Sequence, residues 1–207
     1  MKYIIKDNEP DSFTVWKSAS NEDWQASYSD LGGEVKRDVK NALILEQGSI
    51  CCYCEQKLIY NDSHIEHLNP QCQSSEGQLD FANMLCSCQQ QLKKGEPLHC
   101  GNSKGDNYIT VTPLQDNCAN QFTYTEDGYI GYINNETKET IEILQLDIDK
   151  LNNMRAEAIE PFIIDPITFE EIGYDEAKLF AQKYLELNDG KYNEFYTTIK
   201  YLFLRDE

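Results

Sequence analysis

The sequence predicts an α+β fold in which a small metal-stabilised centre is flanked by mainly helical segments. The chain has 207 residues, 40% hydrophobic and 26% charged, which is typical of a folded globular protein. Seven of the eight cysteines and all three histidines fall between residues 51 and 100. After residue 140, apolar residues recur at helical spacing. These observations predict an N-terminal arm and helix at 1–50, a central unit at 51–105 and a mainly helical region at 106–207.

The first 50 residues predict an arm followed by one helix. Pro10, paired glycines at 32–33 and scattered Asp, Ser and Asn favour little regular structure over 1–33, with Trp16 and Trp24 as isolated anchors. From Glu34 onward, apolar residues spaced three or four apart predict an amphipathic helix that stops near Gly48.

The central unit predicts a short hairpin. The runs 57–60 and 64–67 are separated by the turn-rich tripeptide Asn61-Asp62-Ser63. A polar loop is expected at 68–80, one helical turn at 81–85 and an exposed insertion at 89–98. Beyond residue 105 we expect a strand at 108–113, a hairpin at 124–133 that turns at Asp127-Gly128, and then helices.

Charge is distributed unevenly along the chain. The net charge of −18 divides into −3 for residues 1–50, −2 for 51–105 and −13 for 106–207. An acidic C-terminal half argues against direct contact between that half and a phosphate backbone.

The chain shows no long apolar stretch of the roughly 18 to 20 residues that a membrane span needs, and no signal-peptide core follows Met1. A cytoplasmic protein is therefore expected. Thiols stay reduced in that compartment, so the cysteines point to metal ligands rather than to disulfides.

The strongest motif is Cys51-Cys52-Tyr53-Cys54, followed by further cysteines at 88 and 100. Zinc prefers four soft ligands in a tetrahedron, and Cys51, Cys54, Cys88 and Cys100 predict such a structural site. Cys52 is an alternative to Cys51, and Cys86 to Cys88. Two other cysteines, at 72 and 118, are interpreted as small buried residues.

A second motif lies among the cysteines and consists of Glu66-His67-x-x-Pro70, Asn83-Met84-Leu85 and Cys100-Gly101-Asn102-Ser103-Lys104-Gly105. This order of residues resembles the HNH endonuclease family, whose fold is a ββα-metal unit. The resemblance spans about a quarter of the chain. Two departures are visible: the acid before the histidine is usually Asp, and the asparagine usually follows the cysteine directly.

A more specific likeness is to the HNH subunit (PtuB) of the Septu anti-phage systems, which is also found beside certain retrons. The doubled cysteines at 51–52 match that group's pattern, and so does the final motif at 99–105, which follows an insertion. This likeness implies a role in antiviral defence with a partner ATPase.

Phosphodiester hydrolysis requires a base and a divalent cation, and the motif contains both kinds of group. Neutral imidazole suits a base near pH 7, so His67 is the predicted base. Glu66 and Asn102 are the predicted oxygen ligands of a catalytic Mg²⁺ or Mn²⁺. The side-chain amide of Asn83 is expected to hold the loop that orients His67.

Three further side chains have more than one interpretation. His64 precedes Glu66 by two residues, so on a strand both face the same way; it either joins the cation site or contacts phosphate, or is a surface histidine. His99 is expected to orient the zinc site rather than bind the metal. Lys104 either meets a phosphate oxygen or is an exposed turn lysine.

Three functions compete on these observations. The first is a nuclease that cuts DNA or RNA, with a catalytic divalent metal beside a structural zinc. The second is a zinc-stabilised protein-interaction module without catalysis, which would have no need for an acid and a histidine side by side. The third, a thiol-redox protein, rests only on the Cys51–Cys54 spacing and lacks a surrounding βαβ pattern.

Overall fold

A ββα unit lies at the centre of the molecule. The computed structural model describes residues 1–71 and 76–205 and shows a mixture of helices and small antiparallel sheets. Strand β1 (Ser63–His67) pairs antiparallel with β2 (Met84–Cys88), so that Ser63 lies opposite Cys88 and His67 opposite Met84. Helix α3 (Cys100–Lys104) follows and packs on β2. The predicted α+β fold with a ββα core is confirmed.

The predicted hairpin had the wrong first strand. Residues 57–60 do not pair with β1, because Tyr60–Asp62 form a 3-10 turn and Lys57 instead bridges to Ile50. The true partner, β2, comes after the long polar loop. It is buried along its whole length and lacks the alternation that marks a half-exposed strand. The predicted helical turn at 81–85 is a short 3-10 turn, Phe81–Asn83, that leads directly into β2.

The N-terminal segment contains more regular structure than predicted. Helix α1 (Asp11–Ser18) lies within the supposed arm, and α2 (Gly33–Glu46) is the predicted helix. Trp16 and Trp24 are not isolated, because their rings contact each other edge to face with centroids 5.5 Å apart. Helix α2 ends before Gly48, which has a φ of +65° that favours glycine.

The described part of the C-terminal region, up to residue 205, contains one hairpin and four α-helices. Strands β3 (Phe122–Tyr124) and β4 (Ile130–Tyr132) form the predicted hairpin, with Gly128 at a φ of +87° in its turn. The helices are α4 (Asn135–Leu144), α5 (Asp149–Ile159), α6 (Tyr174–Tyr184) and α7 (Tyr196–Phe203). Residues 108–113 are not a strand; the Val111 N–H donates to the Thr140 hydroxyl instead of to a neighbouring strand.

Packing joins the central unit to both flanks. One hydrophobic core extends from Met1 to Leu151 and includes the cysteines of the centre, while a second cluster lies among α5, α6 and α7. Glu55, next to Cys54, forms an ion pair with the Met1 ammonium group (3.0 Å) and accepts hydrogen bonds from the Thr197 N–H and hydroxyl (2.7 and 2.6 Å). The turn that carries Cys54 is therefore tied to the start of the chain and to α7.

Among the residues that the structure describes, no helix is both long enough and apolar enough to cross a membrane.

Candidate metal centre and active site

Four buried thiols lie close enough together to bind one metal ion. The ligand atoms of Cys51, Cys54, Cys88 and Cys100 all lie within 4.8 Å of one another. The sulfurs of Cys54 and Cys88 are 3.7 Å apart, and tetrahedral Zn–S bonds of about 2.3 Å place sulfurs roughly 3.8 Å apart. The donor set and its spacing therefore fit a zinc ion.

The surroundings of Cys51 favour its thiolate form. Burial opposes ionisation, but hydrogen bonds from Cys100 and the other neighbouring thiols hold the pKa of Cys51 well below its ordinary value. The Cys88 N–H points at the Cys51 sulfur, 3.5 Å away. The Nδ1 atom of His99 lies 3.2 Å from the Cys100 sulfur and 3.8 Å from that of Cys88, so His99 borders the cluster. Its Nε2 is buried and has no hydrogen-bond partner within the described parts of the chain.

The other cysteines among the described residues are not members of this group of four. Cys52 and Cys86 are buried outside the group of four, and burial raises the pKa of the Cys86 thiol to about 12. Cys118 is buried, as predicted, and contacts the Met1 carbonyl. Cys72 lies outside the described residues.

Glu66 is a buried carboxylate whose two oxygens have different neighbours. Its Oε1 lies 3.0 Å from the Lys104 ammonium group and accepts a hydrogen bond from the Tyr53 hydroxyl at 3.2 Å. Its Oε2 faces the Nε2 of His64 at 3.8 Å, so the two side chains share a face of β1 as predicted. Burial raises the pKa of Glu66, but His64 and Lys104 lower it more, and the pKa lies below its ordinary value. Glu66 is ionised at neutral pH.

Lys104 is neither an exposed lysine nor a free contact for phosphate. Its side chain is only 1% exposed, and besides Glu66 it donates to the carbonyls of His67 (2.8 Å) and Gly105 (3.3 Å). Three oxygens thus hold the ammonium group on the inner side of the site, and its charge compensates the buried carboxylate.

His67 is buried and held in one tautomer. Its Nε2 lies 3.0 Å from the carbonyl of Gln78, which can only accept, so Nε2 carries the proton. The Nδ1 atom therefore has the lone pair, and it accepts from the Gln71 amide at 2.8 Å. The Tyr28 ring and the imidazole lie edge to face, with centroids 4.6 Å apart. Burial is the main reason that the pKa of His67 lies below its ordinary value, so the ring is neutral near pH 7.

The two asparagines of the motif lie in different surroundings. The Asn83 side chain accepts from the Asn69 N–H (2.8 Å) and donates to the carbonyls of Asn69 (3.0 Å) and Gly77 (3.3 Å), so it spans the loop after His67. The Asn102 amide donates to the Gln89 carbonyl instead. Its neighbour Gly101 faces Oε2 of Glu66, whereas Lys104 of the same helix contacts Oε1.

Gly101 lies close against two side chains of β1. A Cβ atom at this position would lie 2.6 Å from Glu66 Oε2 and 2.7 Å from His64 Nε2, too close for any side chain without movement. The carboxylate oxygen and the imidazole nitrogen are 3.8 Å apart, and both are kinds of donor that a divalent cation accepts.

Sequence reasoning missed three residues of this site. Tyr53 was seen only as part of the cysteine motif, Tyr28 as part of the arm, and Gly101 as a departure from the expected asparagine. Tyr53 at 1% exposure and its hydrogen bond to Glu66 link the zinc turn to the carboxylate. The sequence signal that could have identified Tyr53 was its position between two predicted zinc ligands, Cys51 and Cys54.

Comparison with known proteins assigns the family. No family model matches the chain. A curated protein of Vibrio cholerae serotype O1 biovar El Tor, described as "Retron Vc95 putative HNH endonuclease", is 32% identical over 139 residues, which cover 62% of this chain and 67% of that protein. Together with the ββα unit and its adjoining four thiols, this similarity places the chain in the HNH endonuclease family.

Proposed function

We propose that the protein is a metal-dependent HNH endonuclease that hydrolyses phosphodiester bonds of DNA or RNA, with His67 as the general base. The observation that carries this proposal is the pair Glu66–His67 at the end of β1, in which an ionised carboxylate adjoins a neutral imidazole of defined tautomer. A protein-interaction module would not need a buried acid and base held this way.

The His67 Nδ1 lone pair accepts a proton from water, and the water oxygen attacks phosphorus. The bond from phosphorus to the leaving sugar oxygen then breaks, and that oxygen takes a proton from solvent. A divalent cation, when bound, stabilises charge on the phosphate and on the leaving oxygen. In this structure the Gln71 amide donates a hydrogen bond to the Nδ1 lone pair of His67, so the water molecule must displace that amide.

The remaining residues position this pair. Lys104 and Tyr53 fix Oε1 of Glu66, and Asn83 holds the loop that contains Asn69 and borders His67. A zinc ion held by the four thiols would anchor both β2, through Cys88, and the first residue of α3, Cys100. Its role is structural, because four thiolates leave no open position for water.

The test of this function is His67→Ala. Cleavage of single- and double-stranded DNA and RNA is measured with Mg²⁺ or Mn²⁺, beside zinc content and thermal stability. We expect loss of cleavage by at least about a hundredfold, as for removal of a general base, with the zinc retained. Wild-type cleavage rates in the variant would locate the base elsewhere.

We further propose that the protein acts in antiviral defence with a larger partner protein, an ATPase as in the Septu systems. The retron context named for the Vibrio cholerae relative supports a defence setting. The charge of −13 over residues 106–207 repels a polyanion and suits a basic protein surface. Exposed apolar side chains also occur in this acidic region, at Ile167 (85%), Phe169 (82%) and Leu179 (64%).

The partner proposal predicts that the isolated chain binds nucleic acid with low affinity. Binding and cleavage are measured at about 0.15 M salt for the chain alone and after co-expression with the neighbouring gene product. We expect both to increase markedly in the complex. Efficient cutting and tight binding by the chain alone would refute the need for a partner.

A further inference from the structure

Three neighbouring side chains lead from the proposed base to the surface of the molecule. The imidazole of His67 and the ring of Tyr28 lie edge to face, with centroids 4.6 Å apart. The ammonium group of Lys36 lies over the Tyr28 ring, with its Nζ atom 5.3 Å from the ring centroid. His67 is buried, Tyr28 is half-buried and Lys36 is exposed. An exposed positive charge from α2 therefore lies beside the ring that packs on the base.

The charge of Lys36 is not compensated by a carboxylate. Within the described ranges 1–71 and 76–205, no aspartate or glutamate oxygen lies within 4.0 Å of its ammonium group. The acidic residues on either side of it in α2 have other partners. Glu34 pairs with Arg37 at 3.1 Å, and Asp38 accepts a hydrogen bond from the Ser12 hydroxyl at 2.7 Å. Lys36 therefore presents its positive charge to solvent.

A second lysine of α2 adds to this charge. Lys40 lies one turn further along the same face of the helix, and its ammonium group donates to the carbonyls of Tyr60 and of Ser63, the first residue of β1. Burial is the main reason that the pKa of Lys40 lies below its ordinary value, and the positive charge of Lys36 lowers it further. Neutral carbonyls do not cancel the charge of Lys40. The two lysines thus make this face of α2 positive in a chain that has 36 acidic and only 18 basic residues.

The position of Lys36 relates this charge to the substrate. A lysine over an aromatic ring at the surface needs no ligand to explain it, but here the ring is the one that packs on the proposed base. The two centroid distances, taken end to end, place the Lys36 Nζ atom at most about 10 Å from the imidazole, and a strand carries one phosphate per roughly 3.4 Å of duplex axis. A strand whose scissile phosphate meets His67 therefore has another phosphate within reach of Lys36.

We propose that Lys36 binds a backbone phosphate of the substrate, within about three nucleotides of the scissile bond, so that α2 forms one wall of the nucleic-acid site. This inference rests on the proposed nuclease function and adds a binding residue for its substrate. Contacts to phosphate fix the position of a strand without reading its sequence, so DNA and RNA share this recognition chemistry. Lys40 is held by two carbonyls and contributes through its charge, whereas the exposed side chain of Lys36 makes the contact.

The experiment measures nucleic-acid binding by the full-length, zinc-loaded chain carrying His67→Ala, which prevents cleavage. Fluorescently labelled single- and double-stranded DNA and RNA are titrated at several salt concentrations from about 0.05 to 0.2 M. Adding Lys36→Gln should lower the affinity roughly three- to tenfold at the lowest salt, and should reduce the slope of log affinity against log salt by about 0.7 to 0.9. Lys36→Arg should keep both values, because it keeps the charge.

The matched control is Lys200→Gln. Lys200 is likewise an exposed helical lysine without a carboxylate within 4.0 Å in the described part of the chain, but it lies on α7, which packs on α6 and β3. Its replacement removes the same charge and should leave the affinity and the slope unchanged. A loss in Lys36→Gln seen with DNA alone or with RNA alone supports the contact and identifies the substrate.

The outcomes separate this inference from the proposed function. An unchanged slope in Lys36→Gln, an equal loss in Lys200→Gln, or no binding by the His67→Ala protein at the lowest salt overturns the inference, even if the wild-type chain cleaves nucleic acid. A slope that falls only in Lys36→Gln, in a protein whose wild type cleaves none of the four substrates, overturns the nuclease proposal and leaves the phosphate contact standing.

Discussion

The Nζ atom of Lys104, at the end of α3, lies 3.0 Å from the Oε1 atom of Glu66 on β1, and both side chains are buried. This ion pair joins the helix that begins with Cys100 to the strand that carries the proposed base. A buried carboxylate without a compensating charge is costly, so the pair makes the geometry of the site dependent on the position of α3.

Replacing Lys104 with Met should destabilise the protein by about 3 to 5 kcal/mol, because Glu66 loses its buried counter-charge. Part of this loss should be recovered by millimolar Mn²⁺, which supplies positive charge at the same carboxylate. The free energy of unfolding is measured with and without Mn²⁺. Lys138→Met is the control, since Lys138 pairs with Glu142 on the surface and its loss should cost little. Equal effects of the two substitutions would contradict a special role for Lys104.

The cysteine substitutions should fall into two classes. Cys54→Ser and Cys100→Ser should lose zinc and unfold the central unit, because metal binding and folding are linked in a small site. Cys86→Ala and Cys118→Ala, buried but outside the group of four, should keep about one zinc per chain at some cost in packing. Zinc content by elemental analysis distinguishes them. A zinc-free Cys86→Ala would show that the ligand set is wrong.

Tyr28 should affect catalysis through its ring. Its edge contact with His67 is of the kind worth about 0.5 to 1.5 kcal/mol, so Tyr28→Ala should reduce the cleavage rate roughly two- to tenfold by loosening the imidazole. Tyr28→Phe keeps the ring and should remain close to wild type. Single-turnover cleavage rates measure the effect. Equal losses in both variants would assign the role to the hydroxyl instead.

The ion pair between Met1 and Glu55 should make stability depend on alkaline pH. Burial lowers the pKa of the Met1 amino group, but Glu55 and Tyr124 raise it more, to about 11 from an ordinary 8.0. Because the folded pKa is the higher one, this stabilisation is complete below pH 8 and disappears as the pH rises through about 11. The stability difference between wild type and Glu55→Gln, measured by denaturant unfolding, should shrink over that range. A difference that does not change with pH would refute this.

The sequence predicted the chemistry of the site better than its contacts. Cysteine spacing indicated the four thiols, and the alternation of β1 placed His64 and Glu66 on one face, because both are local properties. The pairing of β1 with β2 was missed since a strong turn signal at Asn61 lies much closer along the chain. The burial of Lys104 could not be predicted, because a lysine beside a glycine is expected to be exposed in any sequence pattern. Its side chain is buried only because α3 approaches β1. Gly101 has no side chain to interpret; its importance lies in the close approach of Glu66 and His64, which leaves no room for a Cβ atom.

The edge-to-face contact of Trp16 and Trp24 has a practical consequence for optical spectroscopy. These are the only two tryptophans of the chain, and both lie in the N-terminal segment that also contains Tyr28. Intrinsic fluorescence excited at the tryptophan band therefore reports from that segment alone and is silent about the C-terminal helices. Fluorescence recorded after rapid mixing with metal or nucleic acid can therefore show, without an attached dye, whether this segment moves before the first phosphodiester bond is cleaved. The segment contacts His67 through Tyr28.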